Sequence, residues 1–301
     1  MRVANCSRRE FITGALSAAA VVGGLGLSRN AFALDTPFLF QTHSLRDWFI
    51  RDFAGTLKEL KDVGYTGMEI TSFHGFKGNV RGDYGPLTDM PPAQIRKIIT
   101  DSGLSCESSH FMANEFDEAG FGAAVDWAHG VGLKYMVATG LPTAKTSAEW
   151  RQQFDWMNRV GERVRREGMR LGFHTDASVW TRYDGKLAMD EMLRNVPDEN
   201  CLQQLDLAGV IEHDVDAGAY LSAHPGRFYW LHLRDGVKPA QAGAYLPALV
   251  PGQGVINWKS VMAGAKKAGV KSYIVEMQVR PVEGSMDAFK ESYKYLRAMT
   301  L

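Results

Sequence analysis

The chain is short of cysteine, of net charge and of long apolar runs, and each shortage removes a class of protein. Three cysteines in 301 residues are too few for a small disulfide scaffold. Thirty-four basic residues cancel 34 acidic ones, so no whole-chain field draws in nucleic acid or an anionic membrane. The uncharged run 12–27 is only 16 residues long and diluted by Gly, Ser and Ala, short of the roughly 20 that a spanning helix needs. No Pro/Gly/Ser-rich linker divides the rest. What is present, 45% hydrophobic and 23% charged residues, is the composition of a compact globule.

The uncharged run has meaningful flanks. Ser7-Arg8-Arg9-Glu10-Phe11-Ile12 leads into it and Ala31-Phe32-Ala33 closes it. Paired arginines, a mildly apolar segment and an A-x-A site read as a twin-arginine export signal. Residues 1–33 are therefore expected to pass through the twin-arginine translocase and be removed. Residues 34–301 would then form the mature protein in the periplasm or outside the cell, without a stable membrane anchor. Removal takes Arg2, Arg8, Arg9, Arg29 and Glu10, leaving 30 basic residues against 33 acidic. Cys6 departs with the signal. Cys106 and Cys201 sit in separate apolar runs; a periplasmic disulfide between them is one reading, and two thiols buried as small hydrophobes is the commoner one. The export route carries folded proteins, which suits a chain that holds a cofactor.

From Thr36 onward, short apolar runs alternate with longer amphipathic stretches. Strands are expected at 38–42, 67–70, 105–109, 135–138, 171–174, 201–206, 229–233 and 272–277. Helical periodicity fills 55–63, 92–101, 118–130, 148–167, 189–195 and 258–268. Gly64, Gly103, Gly168 and Gly269 stand where helices should stop. Eight β/α repeats in about 270 residues fit one (β/α)₈ barrel. A doubly wound sheet would show fewer strands, and often a Gly-rich phosphate turn after the first; here Thr42-His43-Ser44-Leu45-Arg46 stands there instead.

In such a barrel the chemistry lies where the strands' C-terminal ends meet the βα loops. Reading those ends gives His43 after the first strand, Glu69 in the second, His110 after the third and His174 ending the fifth. Asp206 ends the sixth, His232 lies in the seventh with Asp235 just beyond, and Glu276 lies in the eighth. Imidazoles and carboxylates on one mouth, without thiolates, suit a hard or borderline divalent cation with positions left open for substrate. Any one of them alone would more often be an ordinary polar residue facing a loop; four of the eight histidines falling at strand ends is the stronger signal. His129, His213 and His224 are expected to be structural, and His74 is a loop residue within reach of the mouth.

At these positions the chain resembles the xylose isomerase-like barrels, and within them the sugar phosphate isomerase/epimerase branch. The resemblance rests on Phe40-Gln41-Thr42-His43-Ser44-Leu45-Arg46-Asp47, Gly64-Tyr65-Thr66-Gly67-Met68-Glu69-Ile70, Gln204-Leu205-Asp206, His232-Leu233-Arg234-Asp235, Gly252-Gln253-Gly254-Val255-Ile256-Asn257-Trp258 and Ile274-Val275-Glu276. It implies a metal held at the ends of the fifth to eighth strands, which here are His174, Asp206, His232 and Glu276. Two departures stand out. The epimerases carry Glu on the fifth strand, where this chain offers His174, or Asp176 two residues on. They also carry a His three residues after the sixth-strand Asp, where this chain has Gly209.

The function expected is that of a Mn²⁺-, Mg²⁺-, Co²⁺- or Zn²⁺-dependent isomerase or epimerase acting through an enediolate on a neutral sugar, keto-sugar or cyclitol. Glu276 would be the base, or else Glu69 or His110 across the mouth. His43, Arg46, Trp180 and Asp235 are candidates for substrate contact. Trp48, Phe73, Phe76 and Tyr183 could also stack on a sugar, and Arg182, Arg234 and Arg280 could clamp an anion. A metal-dependent lyase or dehydratase on a keto-sugar or 3-keto-glycoside is the alternative chemistry. A non-catalytic periplasmic carbohydrate-binding barrel is the alternative class. A nuclease would need a basic groove, and the acidic mature chain weighs against one. The sequence leaves homo-oligomerisation open.

Overall fold

A computed structural model describes residues 36–78, 83–238, 248–277 and 285–299. The expected export segment and Arg280 lie outside the described residues. Eight parallel strands close into a barrel: β1 (Phe38–Gln41), β2 (Gly67–Thr71), β3 (Ser105–Met112), β4 (Tyr135–Thr139), β5 (Arg170–His174), β6 (Leu202–Asp206), β7 (Phe228–Leu233) and β8 (Ser272–Val275). Each pairs with its neighbours in sequence, and β1 pairs with both β2 and β8. The helices are α1 (Arg46–Arg51), α2 (Phe53–Val63), α3 (Pro92–Asp101), α4 (Phe121–Val131), α5 (Ser147–Arg166), α6 (Ala188–Asn195), α7 (Leu207–Glu212), α8 (Ala217–Ala223), α9 (Trp258–Ala268) and α10 (Ser285–Ala298).

The expected strands are all present, with two changes that matter for the site, at His110 and at Glu276. β3 stays paired to β4 as far as Met112 opposite Thr139, so His110 lies inside the strand and not after it. β5 and β6 end on His174 and Asp206, while β8 ends one residue before Glu276. Helix ends follow the local chemistry. Thr146 and Glu149 cap α5 reciprocally, and Gly269 closes α9 at φ 77°, a conformation open to glycine at little cost.

Two-residue periodicity sorts the strand side chains. One set, including Phe40, Met68, Met136, Phe173, Leu205 and Leu231, joins the main core beneath the helices. The other set faces inward, where Val137, Leu202, Trp230 and Ile274, with Leu39, form a separate apolar plug. Gly172 makes room for it: a Cβ there would lie 3.0 Å from the Trp230 ring. Two residues further along each strand the interior turns polar. Leu39 leads to Gln41, Gly67 to Glu69, Gly172 to His174, Leu202 to Gln204, Trp230 to His232 and Ile274 to Glu276. A further step reaches Asp206 and Arg234.

Two register slips adjust this lattice. β3 skips Glu107, so that Met68 pairs with Cys106 but Glu69 with Ser108. β7 skips Tyr229, so that Gln203 pairs with Phe228 but Gln204 with Trp230. Such bulges re-aim side chains, and these two carry His110 and His232 to the interior. Cys106 and Cys201 are both free thiols. Among the described residues no helix is long and apolar enough to cross a membrane.

Candidate metal centre

Glu69 is the floor of the polar layer and is fully buried. Five donors converge on its carboxylate. Ser108 Oγ and Gln204 Nε2 reach Oε1 at 2.9 and 2.8 Å. Gln41 Nε2, His110 Nε2 and His232 Nε2 reach Oε2 at 3.0, 3.0 and 2.8 Å. Burial by itself would favour the neutral acid, but His110 and His232 outweigh it and hold the pKa well below the usual carboxylate range. Glu69 is therefore a fixed anion. With its lone pairs taken and no exposed surface, it is not placed to remove a proton from a substrate; the structure gives it the task of organising the three histidines and glutamines above it.

His232 stands between two carboxylates. Its Nε2 bonds Glu69 and its Nδ1 lies 2.8 Å from Glu276 Oε2. Burial opposes a charge on the ring, yet the flanking anions raise its pKa to about 10. Glu276 is likewise pushed up by burial, and Arg234 and His232 reverse this and hold it well below the ordinary value. Arg234 Nη1 donates to Asp206 Oδ2 at 2.9 Å and lies 3.8 Å from Glu276 Oε2. One guanidinium thus lies against both carboxylates.

His174 differs from its neighbours. Burial, aided by the charges of His110 and His232, lowers its pKa to about 4, so the ring is neutral. Its Nδ1 faces Gln204 Oε1 at 2.9 Å, and its Nε2 faces Asp206 Oδ2 at 3.6 Å. The other Asp206 oxygen caps α7 through Ala208 N–H at 2.9 Å. One potential ligand atom each from His174, Asp206 and Glu276 lies within 4.8 Å of the others. Two acceptors facing each other at 3.6 Å fit a shared cation, since ligands each about 2.1 Å from one ion stand about 3 to 3.6 Å apart. His232 groups instead with His110 and His174, one ring nitrogen of each lying within 4.8 Å of the others; to ligate an ion it would have to release the hydrogen that its Nδ1 shares with Glu276. A nitrogen and oxygen set without thiolate fits Mn²⁺, Mg²⁺, Co²⁺ or Zn²⁺.

The xylose isomerase-like TIM barrel family model matches residues 57–299. The chain belongs to this family. Among solved xylose isomerase-like barrels, a sugar phosphate isomerase/epimerase from Parabacteroides distasonis is 22% identical, with a TM-score of 0.72, covering 87% of this chain and 94% of its own. The IolI protein, solved with a zinc atom, is 16% identical, with a TM-score of 0.66 and coverage of 86% and 96%. A probable 3-DHS dehydratase, AsbF of Bacillus anthracis, is 14% identical, with a TM-score of 0.64 and coverage of 87% and 98%. No curated protein sequence matches the chain.

In this xylose isomerase-like barrel the remaining candidates have diverse places. His43 starts a 3₁₀ turn after β1, with its ring 6.4 Å from Phe76; burial lowers its pKa, against the pull of Glu276. Arg46 opens α1 and lies 3.3 Å from Asp47. Asp235 is not free to meet a substrate. It is fully buried, with Gly236 and Ile256 N–H on Oδ1 and Gly252 N–H and Trp258 Nε1 on Oδ2, all within 3.2 Å. It ties the loop after β7 to the start of α9. Trp180 is also buried, edge-on to Tyr220 at 4.9 Å among the outer helices, so it packs the wall and does not offer a face to a sugar. Asp176 accepts from Ser178 N–H as a 3₁₀ cap, which leaves His174 as the fifth-strand donor. Phe73 is core, and His74 is exposed.

Three residues to which the sequence assigned no role shape the site: Gln41 and Gln204, present only within the quoted motifs, and Ser108. They carry no charge and match no ligand pattern, but the alternation from Leu39 and Leu202 would have turned both glutamines inward. Glu115 was also missed. It accepts from Ser72 Oγ at 2.6 Å and Met112 N–H at 2.7 Å, pinning the loop after β2 that carries Phe76 toward His43. Burial raises its pKa to about 7.

Proposed function

We propose that the chain is a divalent-metal-dependent sugar isomerase or epimerase, with His174, Asp206, His232 and Glu276 as the metal ligands and a neutral sugar, keto-sugar or cyclitol as substrate. The observation that carries this reading is the facing pair His174 Nε2 and Asp206 Oδ2, 3.6 Å apart, with Glu276 beside them. A bound divalent ion would polarise two adjacent substrate oxygens and make the neighbouring C–H acidic.

The chain's own residues supply the rest. Glu276, ionised and at the rim of the layer, is assigned the proton-abstracting role, with His110 the second group able to carry a proton. Glu69 and Gln204 hold the imidazoles in place from below. His43 and Arg46 are assigned to substrate orientation. Elimination from a keto-sugar or 3-keto-glycoside begins with the same proton abstraction, and the likeness to a dehydratase barrel keeps that outcome as the second reading. Export of the mature chain through residues 1–33 is part of the proposal, and it favours an unphosphorylated substrate.

The test combines metal analysis with exchange. Purified mature protein should contain about one divalent ion per chain, and Asp206→Asn, which can still cap α7, should lose it. Sugars and glycosides incubated with enzyme in D₂O should show metal-dependent C–H exchange by NMR; loss of a hydroxyl or glycosyl group would select the elimination. Metal-free protein that is not stabilised by Mn²⁺ or Zn²⁺ would refute the reading, and ligand binding without exchange would leave a carbohydrate-binding barrel.

A further inference from the structure

A histidine ligand, unlike a carboxylate, must be given a tautomer, because only a ring nitrogen without hydrogen can bind a cation. In this barrel the choice is traced upward from the floor. Glu69 Oε1 accepts from Ser108 Oγ at 2.9 Å and from the Gln204 amide nitrogen at 2.8 Å. That orientation turns the Gln204 carbonyl away, to 2.8 Å from His110 Nε2 and 2.9 Å from His174 Nδ1. A carbonyl oxygen accepts, so both of those nitrogens carry hydrogen. An imidazole that ligates a cation keeps a single hydrogen; with that hydrogen at Nδ1, His174 presents a bare Nε2, and this is the nitrogen 3.6 Å from Asp206 Oδ2.

We propose that Gln204 is the positioning residue of the centre: it fixes His174 as the Nδ1–H tautomer and aims the Nε2 lone pair at the cation position. Its importance for activity rests on the metal-dependent reading above; the tautomer itself does not. The geometry singles out His174 as the dependent partner. If Gln204 loses its amide, His110 still has Glu69 Oε2 at 3.0 Å, and Glu69 keeps Gln41, Ser108, His110 and His232. His174 Nδ1 loses the acceptor that specifies its proton. Alternation explains the location: Gln204 and Asp206 are i and i+2 on β6, so one strand carries both the metal-facing carboxylate and the residue that orients the opposing imidazole.

The test uses Gln204→Met, similar in length but without the amide, and Ser108→Ala, which removes a different Glu69 donor as a control. In metal-free wild-type protein, ¹⁵N NMR should show His174 with hydrogen on Nδ1 alone; Gln204→Met should show a mixture, and Ser108→Ala the wild-type pattern. Zn²⁺ or Co²⁺ titration should give binding about 10- to 100-fold weaker in Gln204→Met, with Ser108→Ala within about twofold of wild type by the same comparison. An Nε2–H tautomer in wild-type protein, or unchanged metal affinity in a folded Gln204→Met variant, would overturn the proposal. Should that variant not fold, the wild-type spectrum still decides. Wild-type protein that binds no metal, yet has the Nδ1–H tautomer, would sink the enzymatic reading and leave the role of Gln204 standing.

Discussion

Glu115 makes the stability of this barrel depend on pH in a direction opposite to that of a salt-bridged carboxylate. Burial lifts its pKa from 4.5 to about 7, so the folded chain holds a proton there that the unfolded chain releases near pH 4.5. Stability contributed by such a group is full at low pH and falls as pH rises toward 7. At roughly 1.4 kcal/mol per pH unit, the loss comes to about 3 kcal/mol by pH 8. Glu115→Gln is the matching perturbation, since glutamine imitates the neutral acid: its carbonyl can accept from Met112 N–H and its amide can donate to Ser72 Oγ. Urea unfolding of both proteins at pH 5 and pH 8 isolates the effect, other titrating groups cancelling in the difference. The variant should match wild type within about 1 kcal/mol at pH 5 and exceed it by about 3 kcal/mol at pH 8. Hydrogen exchange at Gly75, whose amide bonds Ser72 Oγ at 3.1 Å, should slow in the variant at the higher pH. A difference between the proteins that does not change with pH would refute the reasoning.

Two further predictions concern the upper layer. Arg234 supplies positive charge to the carboxylates that a divalent ion would share, so Arg234→Gln should bind Mn²⁺ or Zn²⁺ more tightly by calorimetry while lowering the metal-free melting temperature; weaker binding would mean that Arg234 serves to orient Asp206 for the ion. Asp235→Asn should cost about 2–3 kcal/mol in urea unfolding, because an amide NH₂ would face N–H groups in a buried site, and metal affinity should change little; a large loss of metal with normal stability would restore Asp235 to the site.

Apolar periodicity determined the barrel because it is a repeated signal. Each strand is a short run flanked by an amphipathic helix, and eight repeats leave little freedom in topology. Strand ends were less visible. The length of β3 follows from its pairing with β4 through Met112, which is a property of the neighbouring strand, and neither bulge leaves a mark in the local sequence. Yet the bulges at Glu107 and Tyr229 decide that His110 and His232 face the interior.

The site was legible as a set of positions and much less as a set of roles. Strand-end reading gathered Glu69, His110, His174, Asp206, His232 and Glu276, and the structure brings these together because they occupy adjoining inward layers. It could not separate the residue that would touch a cation from the one that holds its neighbour, since Glu69 and Glu276 are the same residue type at comparable strand positions. Depth separates them. Glu69 faces the centre from β2, where five donors consume its lone pairs, whereas Glu276 lies beyond the end of β8 with Asp206 and His174 close by. Asp235 shows the converse. It follows His232 by three residues, and an odd step along a strand reverses the face, so Arg234 turns to the mouth and Asp235 to the loop it secures. Nearness in sequence to a site residue therefore carries less weight than parity along the strand, and parity is what turns the uncharged Gln204 inward, beneath Asp206 and against His174.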